Sequence, residues 1–228
     1  LKTMAERSIR PLVNALSSQN LGARTSALKI LYAAKTKDAT PALAQLLREY
    51  DRVIQYQALV VLGQMRASSA LPHVRVLAST KDSLVAQAAI WGLGTMEGSD
   101  ITSALKPMLR SGASGAKAKL AALALGANPS QKHVKLARDL VRSGTVTPYA
   151  AWALGALHDT KSVELLTSQL TAKNSDPAPI LWALGAIADR RSVPALIHRL
   201  LTTPPHGEHL TRWALNRCLL AAPLPRQQ

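Results

Sequence analysis

Residues 150–155 read Ala-Ala-Trp-Ala-Leu-Gly, and the phrase returns as Ile-Leu-Trp-Ala-Leu-Gly at 180–185, Ala-Ile-Trp-Gly-Leu-Gly at 89–94 and Ala-Leu-Val-Val-Leu-Gly at 58–63. Weaker copies fill the gaps. Marking each copy by its last residue gives Tyr32, Gly63, Gly94, Gly126, Gly155, Gly185 and Asn216, at intervals of 31, 31, 32, 29, 30 and 31. A fixed period of this length is the signature of a repeat array, and it decides the fold before any single site is weighed.

Each copy is followed by a short polar turn, such as Asp189-Arg190-Arg191 or His158-Asp159-Thr160-Lys161, and then by a second apolar run. In that run Val193, Leu196, Ile197 and Leu200 stand at helical spacing, as do Val163, Leu166 and Leu170, and Ile9, Leu12, Val13 and Leu16. Ser162 and Ser192 are placed as N-caps, and Pro41, Pro72 and Pro194 sit near helix starts, where a missing N–H costs little. Turns at Ser111-Gly112, Ser143-Gly144 and Asp176-Pro177 end one helix and let the next begin. The unit is therefore two helices, which cannot bury their apolar faces alone and must stack on their neighbours. The expectation is all-α: an α-α superhelix of about seven helix pairs in a single domain over 1–228. Its repeats run over about 7–35, 39–66, 70–96, 101–127, 131–158, 162–188 and 192–221, with a tail at 222–228.

Composition agrees. The chain is 47% hydrophobic and 18% charged, enough apolar material for a sizeable core and too much for disorder. No apolar stretch is long enough to span a membrane. Phe is absent, while Ala and Leu abound, which favours helices over a β-sandwich. The single cysteine, Cys218, allows no internal disulfide and no cysteine-based metal site, and fits a reducing compartment, so a cytoplasmic setting is favoured. Because the first residue is Leu1, a removed leader or upstream domain, and with it an exported form, stays open. Lys and Arg number 28 against 13 Asp and Glu, a formal +15, which points to an acidic partner or surface.

The Ala-Ala-Trp-Ala-Leu-Gly-Ala-Leu run at 150–157, the Asp-Thr-Lys-Ser-Val turn at 159–163 and the period near 31 together resemble the short HEAT-like repeats named after phycobilisome lyases, over about residues 7 to 221. The resemblance implies the solenoid fold, with the helix carrying Ala-Leu-Gly on its concave side. Such repeats occur in bilin lyases, DNA-repair glycosylases and many scaffolds, so the fold does not name an activity.

Trp91, Trp152, Trp182 and Trp213 each stand three residues before their marker, in a register completed by Lys29, Val60 and Leu123. Two readings compete: packing between repeats, or an exposed aromatic ladder that makes a binding groove. The row one turn earlier is Thr25, Tyr56, Gln87, Lys119, Pro148, Ala178 and His209; the row one turn later is Ala33, Gln64, Thr95, Ala127, Ala156, Ala186 and Arg217. None of the three rows contains a carboxylate. HEAT-like alkylpurine glycosylases need a catalytic acid beside their aromatics, so that activity does not carry over. Charge concentrates over residues 106–142, where Lys106, Arg110, Lys117, Lys119, Lys132, Lys135, Arg138 and Arg142 face only Asp139. This is either a solvated helical surface or a basic patch.

His206-Gly207-Glu208-His209, with His198 upstream, fits no standard metal spacing and reads as a capping loop after Thr203-Pro204-Pro205. Deoxyhypusine hydroxylases carry several His-Glu dipeptides; this chain has none. Cys218 reads as a small core residue rather than a nucleophile. The expectation is a non-catalytic scaffold that needs no cofactor or metal. It would bind an acidic or extended protein partner through Tyr56, Trp91, Trp152, Trp182 and Trp213 and the basic residues of 106–142. Two alternatives are a nucleic-acid binder, whose bases stack on the aromatics, and a bilin lyase subunit, whose tetrapyrrole propionates pair with Lys119 or Arg217.

Overall fold

The computed structural model describes residues 2–49, 51–96, 101–110, 114–170, 176–202 and 208–221. Among them are fourteen α-helices and no strand. The odd helices are α1 (Lys2–Leu16), α3 (Thr40–Leu46), α5 (Leu71–Ala78), α7 (Ile101–Leu105), α9 (Gln131–Arg142), α11 (Val163–Leu170) and α13 (Val193–Thr202). The even helices, which carry the repeated phrase, are α2 (Leu21–Ala34), α4 (Arg52–Gln64), α6 (Ser83–Thr95), α8 (Ala116–Ala127), α10 (Thr147–Ala156), α12 (Ala178–Ile187) and α14 (Glu208–Leu220). The fold is all-α, of the α-α superhelix class, built from the helix pairs that the period requires. The turn at Ser111-Gly112, residue His206 and the tail 222–228 lie outside the described residues.

Contacts divide the chain into two compact units, Leu1–Met108 and Leu109–Gln228. In the first, α2 packs on α4 and α4 on α6, with α1, α3 and α5 against their own partners. In the second, α8, α10, α12 and α14 pack in the same successive way, backed by α9, α11 and α13. Both cores draw on the marker helices and on the odd helices packed against them. Leu28, Leu31, Leu59, Leu62, Ile90 and Leu93 are buried in the first unit; Leu125, Leu154, Leu181 and Leu184 are buried in the second. Burying each such side chain contributes roughly 1.5–3 kcal/mol. Between them, buried alanines such as Ala121, Ala150, Ala153 and Ala183 let neighbouring even helices approach closely.

The units start their helices differently. In the first, Asn20 Oδ1 accepts from the Gly22 N–H at 2.8 Å, Asp51 Oδ1 from Val53 N–H at 2.8 Å and Asp82 Oδ1 from Val85 N–H at 3.0 Å, so α2, α4 and α6 are capped at the repeat period. In the second, α8 and α10 follow Gly115 and Val146 with no side-chain cap, α12 takes one from Asp176, whose Oδ1 accepts from the Ala178 N–H at 3.0 Å, and Val146 sits in the left-handed region at φ 44°. A β-branched residue there is strained. The even helices often end the same way: Lys35, Arg66, His158 and Ala188, each three residues past a marker, have φ between 50° and 55°. This is the αL position that ends helices and usually holds glycine.

The turns leading into the odd helices also differ. Ala39 and Ala70 fill the first unit's turns and are fully buried. The equivalent Ser162 and Ser192 are just as buried but polar. These serines are not N-caps as the sequence suggests. The Ser162 hydroxyl donates to the Asp159 carboxylate, and Ser192 donates to the Asp189 carbonyl at 2.6 Å, because the buried hydroxyls need an acceptor within the turn.

Candidate functional site

The tryptophan register is built by the glycine before it. A Cβ on Gly63 would stand 2.6 Å from Trp91 Cζ3; on Gly126, 2.8 Å from Trp152 Cζ3; on Gly155, 2.8 Å from Trp182 Cζ3; and on Gly185, 2.2 Å from Trp213 Cζ3. In each case the indole of one repeat occupies the space where the preceding marker lacks a side chain. The backbone is close as well, with the Gly155 Cβ position 2.7 Å from the Ala183 Cα. One edge of each ring is packed, yet Trp91 and Trp213 remain 42% and 39% exposed, and Trp152 and Trp182 are half-buried. Trp152 and Trp182 stack with centroids 5.6 Å apart and planes 14° from parallel, a continuous aromatic surface across α10 and α12.

The flanking rows are exposed or half-buried throughout the described residues. In the second unit Lys119 Nζ lies 5.7 Å from the Tyr149 ring centroid, a cation over an aromatic face one turn before Trp152. His209 and Arg217 are exposed on either side of Trp213 on α14, and the Arg217 Nε donates to the Gly185 carbonyl at 3.5 Å. In the first unit Thr95 Oγ1 donates to the Gly63 carbonyl at 3.0 Å, tying α6 to α4 beneath Trp91.

One interface of the first unit inverts the pattern. Its marker is Tyr32 instead of glycine, and the tryptophan place holds Val60. Without the large ring a cavity of about 230 Å³ opens between α2 and α4, lined by Thr25, Lys29, Tyr32, Tyr56, Gln57 and Val60, with Leu28 and Val61 beneath. Tyr32 and Tyr56 are 43% and 38% exposed. Sequence reasoning singled out Tyr56 and missed Tyr32 and Gln57. The signal was there: a bulky marker followed by a small residue where the other copies have glycine and tryptophan.

The basic residues are divided between the two units. Lys106 belongs to the first unit, and Arg110, Lys117, Lys119, Lys132, Lys135, Arg138 and Arg142 to the second. Lys119, Lys132 and Lys135 are exposed. Arg138 is paired within the fold. Its guanidinium grips Asp159 at 2.8 Å from Nε and 2.5 Å from Nη2, and Nε also donates to Ser162 at 3.1 Å. Burial pushes the Asp159 carboxyl up, but the hydrogen bonds from Arg138 and Ser162 and the Arg138 charge outweigh it and hold the group below its ordinary value. The Arg191 hydrogen bond likewise holds Asp189 down against burial. Arg142 pairs with Asp139 at 3.0 Å in the open, an arrangement worth little.

Among the described residues no three His, Cys, Asp or Glu side chains come together as a metal-holding group. Cys218 is fully buried, its sulfur 3.1 Å from the Ser192 hydroxyl, and burial pushes the thiol up, away from the reactive thiolate. Among the described residues no helix is long and apolar enough to cross a membrane.

Comparison with known proteins agrees on the fold. Residues 41–118 match the model of HEAT repeats, and residues 149–171 and 180–202 match the model of the PBS lyase HEAT-like repeat. No curated protein matches the chain in sequence. Among solved structures, the complex of CpcE and CpcF of phycocyanin lyase from Nostoc sp. PCC7120 is 21% identical, with a TM-score of 0.56 over 92% of this chain and 93% of that one. Human deoxyhypusine hydroxylase is 16% identical, with a TM-score of 0.44 over 96% and 98% of the two chains. A designed armadillo repeat protein in complex with the peptide (KR)4 is 16% identical, with a TM-score of 0.44 over 92% and 99%. With the period near 31, the repeated helix pairs and both repeat models in agreement, the chain belongs to the HEAT-like repeat proteins.

Proposed function

We propose that the chain is a non-catalytic binding scaffold for an extended, acidic segment of a protein partner. The observation that carries this reading is the stacked, half-exposed Trp152–Trp182 pair, set in rows that contain cations and no carboxylate. An aromatic surface offers area at low entropic cost, and the lysines and arginines around it favour approach of an acidic chain. The exposed cations assigned to this role are Lys119, Lys132 and Lys135, with Lys106 and Arg110 as further positive charges. Arg138 is left out, because its charge is neutralised within the fold.

A second reading, nucleic-acid binding, is favoured by the same stacked pair, since bases stack on indoles while cations follow the phosphates. Salt separates the two. Titrating the chain with an acidic peptide carrying aromatic residues, and with single-stranded DNA, across increasing salt should leave most of the peptide affinity in place if the apolar surface holds it. A steep log-linear loss for DNA, alongside tighter DNA binding at low salt, would favour the nucleic-acid reading. The likeness to CpcE and CpcF shows the fold alone; a bilin lyase role for Lys119 and Arg217 is tested directly by titration with the chromophore.

A further inference from the structure

The aromatic strip of the second unit constrains the backbone of whatever it binds. On α10 and α12 the three rows contribute Pro148, Trp152, Ala156, Ala178, Trp182 and Ala186, all half-buried or exposed. The side chains of these six residues contain no hydrogen-bond acceptor, and their polar atoms are the two indole N–H groups. No hydrogen bond among the described residues takes either group, and neither nitrogen is shut away from solvent. Carbonyls at the helix ends are spent as well. Gly155 accepts from the His158 N–H at 3.0 Å, Gly185 from Arg217 Nε at 3.5 Å and Ala186 from His158 Nδ1 at 2.9 Å. The strip therefore donates and does not accept. Cations bracket it, with Lys119 exposed on α8 and Arg217 exposed on α14.

An ordinary extended peptide lies on such a surface at a cost. Each N–H turned toward the strip leaves water and finds no acceptor. An α-helical ligand avoids that cost but has already used its carbonyls, so the indole N–H groups stay unpaired. A polyproline II segment meets both conditions, because proline has no N–H and this conformation leaves every carbonyl free to accept. The periods match too. Such a segment advances about 3.1 Å per residue and repeats its face every third residue, roughly 9.3 Å, while packed helices lie about 8–10 Å apart. Three helix-to-helix steps from α8 to α14 cover roughly 24–30 Å, the reach of about eight to ten such residues. We propose that the strip on α10 and α12 recognises a proline-rich polyproline II segment of a protein partner, with one proline per repeat against the indoles and acidic residues at its two ends toward Lys119 and Arg217. The inference rests on the peptide-scaffold reading and names the residue and the backbone conformation that the strip selects.

The test uses the full chain and three fluorescein-labelled peptides, followed by anisotropy. The first carries Pro-Ala-Ala-Pro-Ala-Ala-Pro between pairs of glutamates, the second spaces its prolines four apart, and the third has alanine at every proline. The wild-type chain is expected to bind the first about 10-fold more tightly than the third, because missing donors and a stiff backbone lower the cost of binding. It should bind the first about 5-fold more tightly than the second, whose next proline is rotated about 120° off the shared face. Trp152→Phe/Trp182→Phe keeps aromatic rings and removes both N–H donors, so it should lose about 5-fold of the proline preference. Thermal melts show whether that variant is folded; if it is not, the comparison of spacings on the wild type decides. Equal binding of all three peptides overturns the proline inference and leaves the acidic-segment scaffold standing. A preference that ignores spacing, or that persists undiminished in the folded phenylalanine variant, also overturns it. Binding of none of the three overturns the inference, and if single-stranded DNA binds instead, the scaffold reading falls with it.

Discussion

In the first unit Asn20, Asp51 and Asp82 cap the even helices, and the turns after those helices bury Ala39 and Ala70; in the second α8 and α10 begin without side-chain caps, and the equivalent turns bury Ser162 and Ser192 beside Asp159 and Asp189. The bulky residues are also exchanged. The second unit sets tryptophan on glycine at three interfaces, whereas the first has one such interface and one where Tyr32 faces Val60. The same period is therefore held by two chemistries. Exposed caps act one helix at a time, while a buried charge gripped by the neighbouring repeat couples its surroundings. The second unit should be the more sensitive to single substitutions and to acid.

The sharpest break of that comparison is Asp159→Ala. It leaves the Arg138 guanidinium largely buried without its partner and should cost about 3 kcal/mol in urea denaturation, near the low end for breaking a buried pair. Converting the turn to the first unit's chemistry, with Arg138→Leu, Asp159→Ala and Ser162→Ala together, should recover much of the loss. The pH dependence has a definite sign. Asp159 and Asp189 have folded-state values below their unfolded value of 3.8, so their stabilisation is present above that pH and disappears as pH falls through the lowered values. The urea midpoint should drop on acidification below 3.8, and the drop should shrink in the triple variant. An unchanged slope would show that the turn does not couple the second unit.

Glycine substitutions come next. Gly155→Ala should cost about 1–3 kcal/mol, because the new Cβ meets the Ala183 backbone as well as Trp182. Gly185→Ala should cost less, since the three atoms nearest the new Cβ all belong to the Trp213 ring, which can swing outward. Gly115→Ala, with nothing within 4 Å, should be close to neutral. Equal costs at Gly155 and Gly185 in thermal melts would contradict backbone approach as the reason for glycine. A smaller effect is expected in the first unit, where Asp82→Ala removes one cap and should cost about 1 kcal/mol. The smallest runs the other way: Val146→Gly should stabilise by about 0.5–1 kcal/mol by relieving a left-handed valine, and a loss would show that its side chain matters more than its backbone.

Much of this architecture is legible in the sequence because the repeat states it several times. The helix pairs, the marker glycines and the shared tryptophan register follow from spacing alone. What spacing does not show is which partner a charged side chain meets. Arg138 and Asp159 are 21 residues apart on neighbouring repeats, so Arg138 reads as one more surface cation. The caps Asn20, Asp51 and Asp82 recur every 31 residues and were available to sequence reasoning. The pocket was hidden for a different reason: it arises from departures at Tyr32 and Val60, and averaging over copies erases departures.

The claim that the exposed tryptophan surface binds an acidic protein segment is tested most directly by selecting peptides from a random displayed library on the wild-type chain. The affinity of the selected peptide is then measured by calorimetry on the wild type and on Trp152→Ala/Trp182→Ala, with melts of both proteins alongside. The account predicts acidic, aromatic-bearing peptides and a loss of about 2 kcal/mol or more in binding, roughly 30-fold, by the folded variant. Selected peptides without acidic character, or an affinity unchanged in the folded variant, would contradict it and reduce the ladder to packing between repeats.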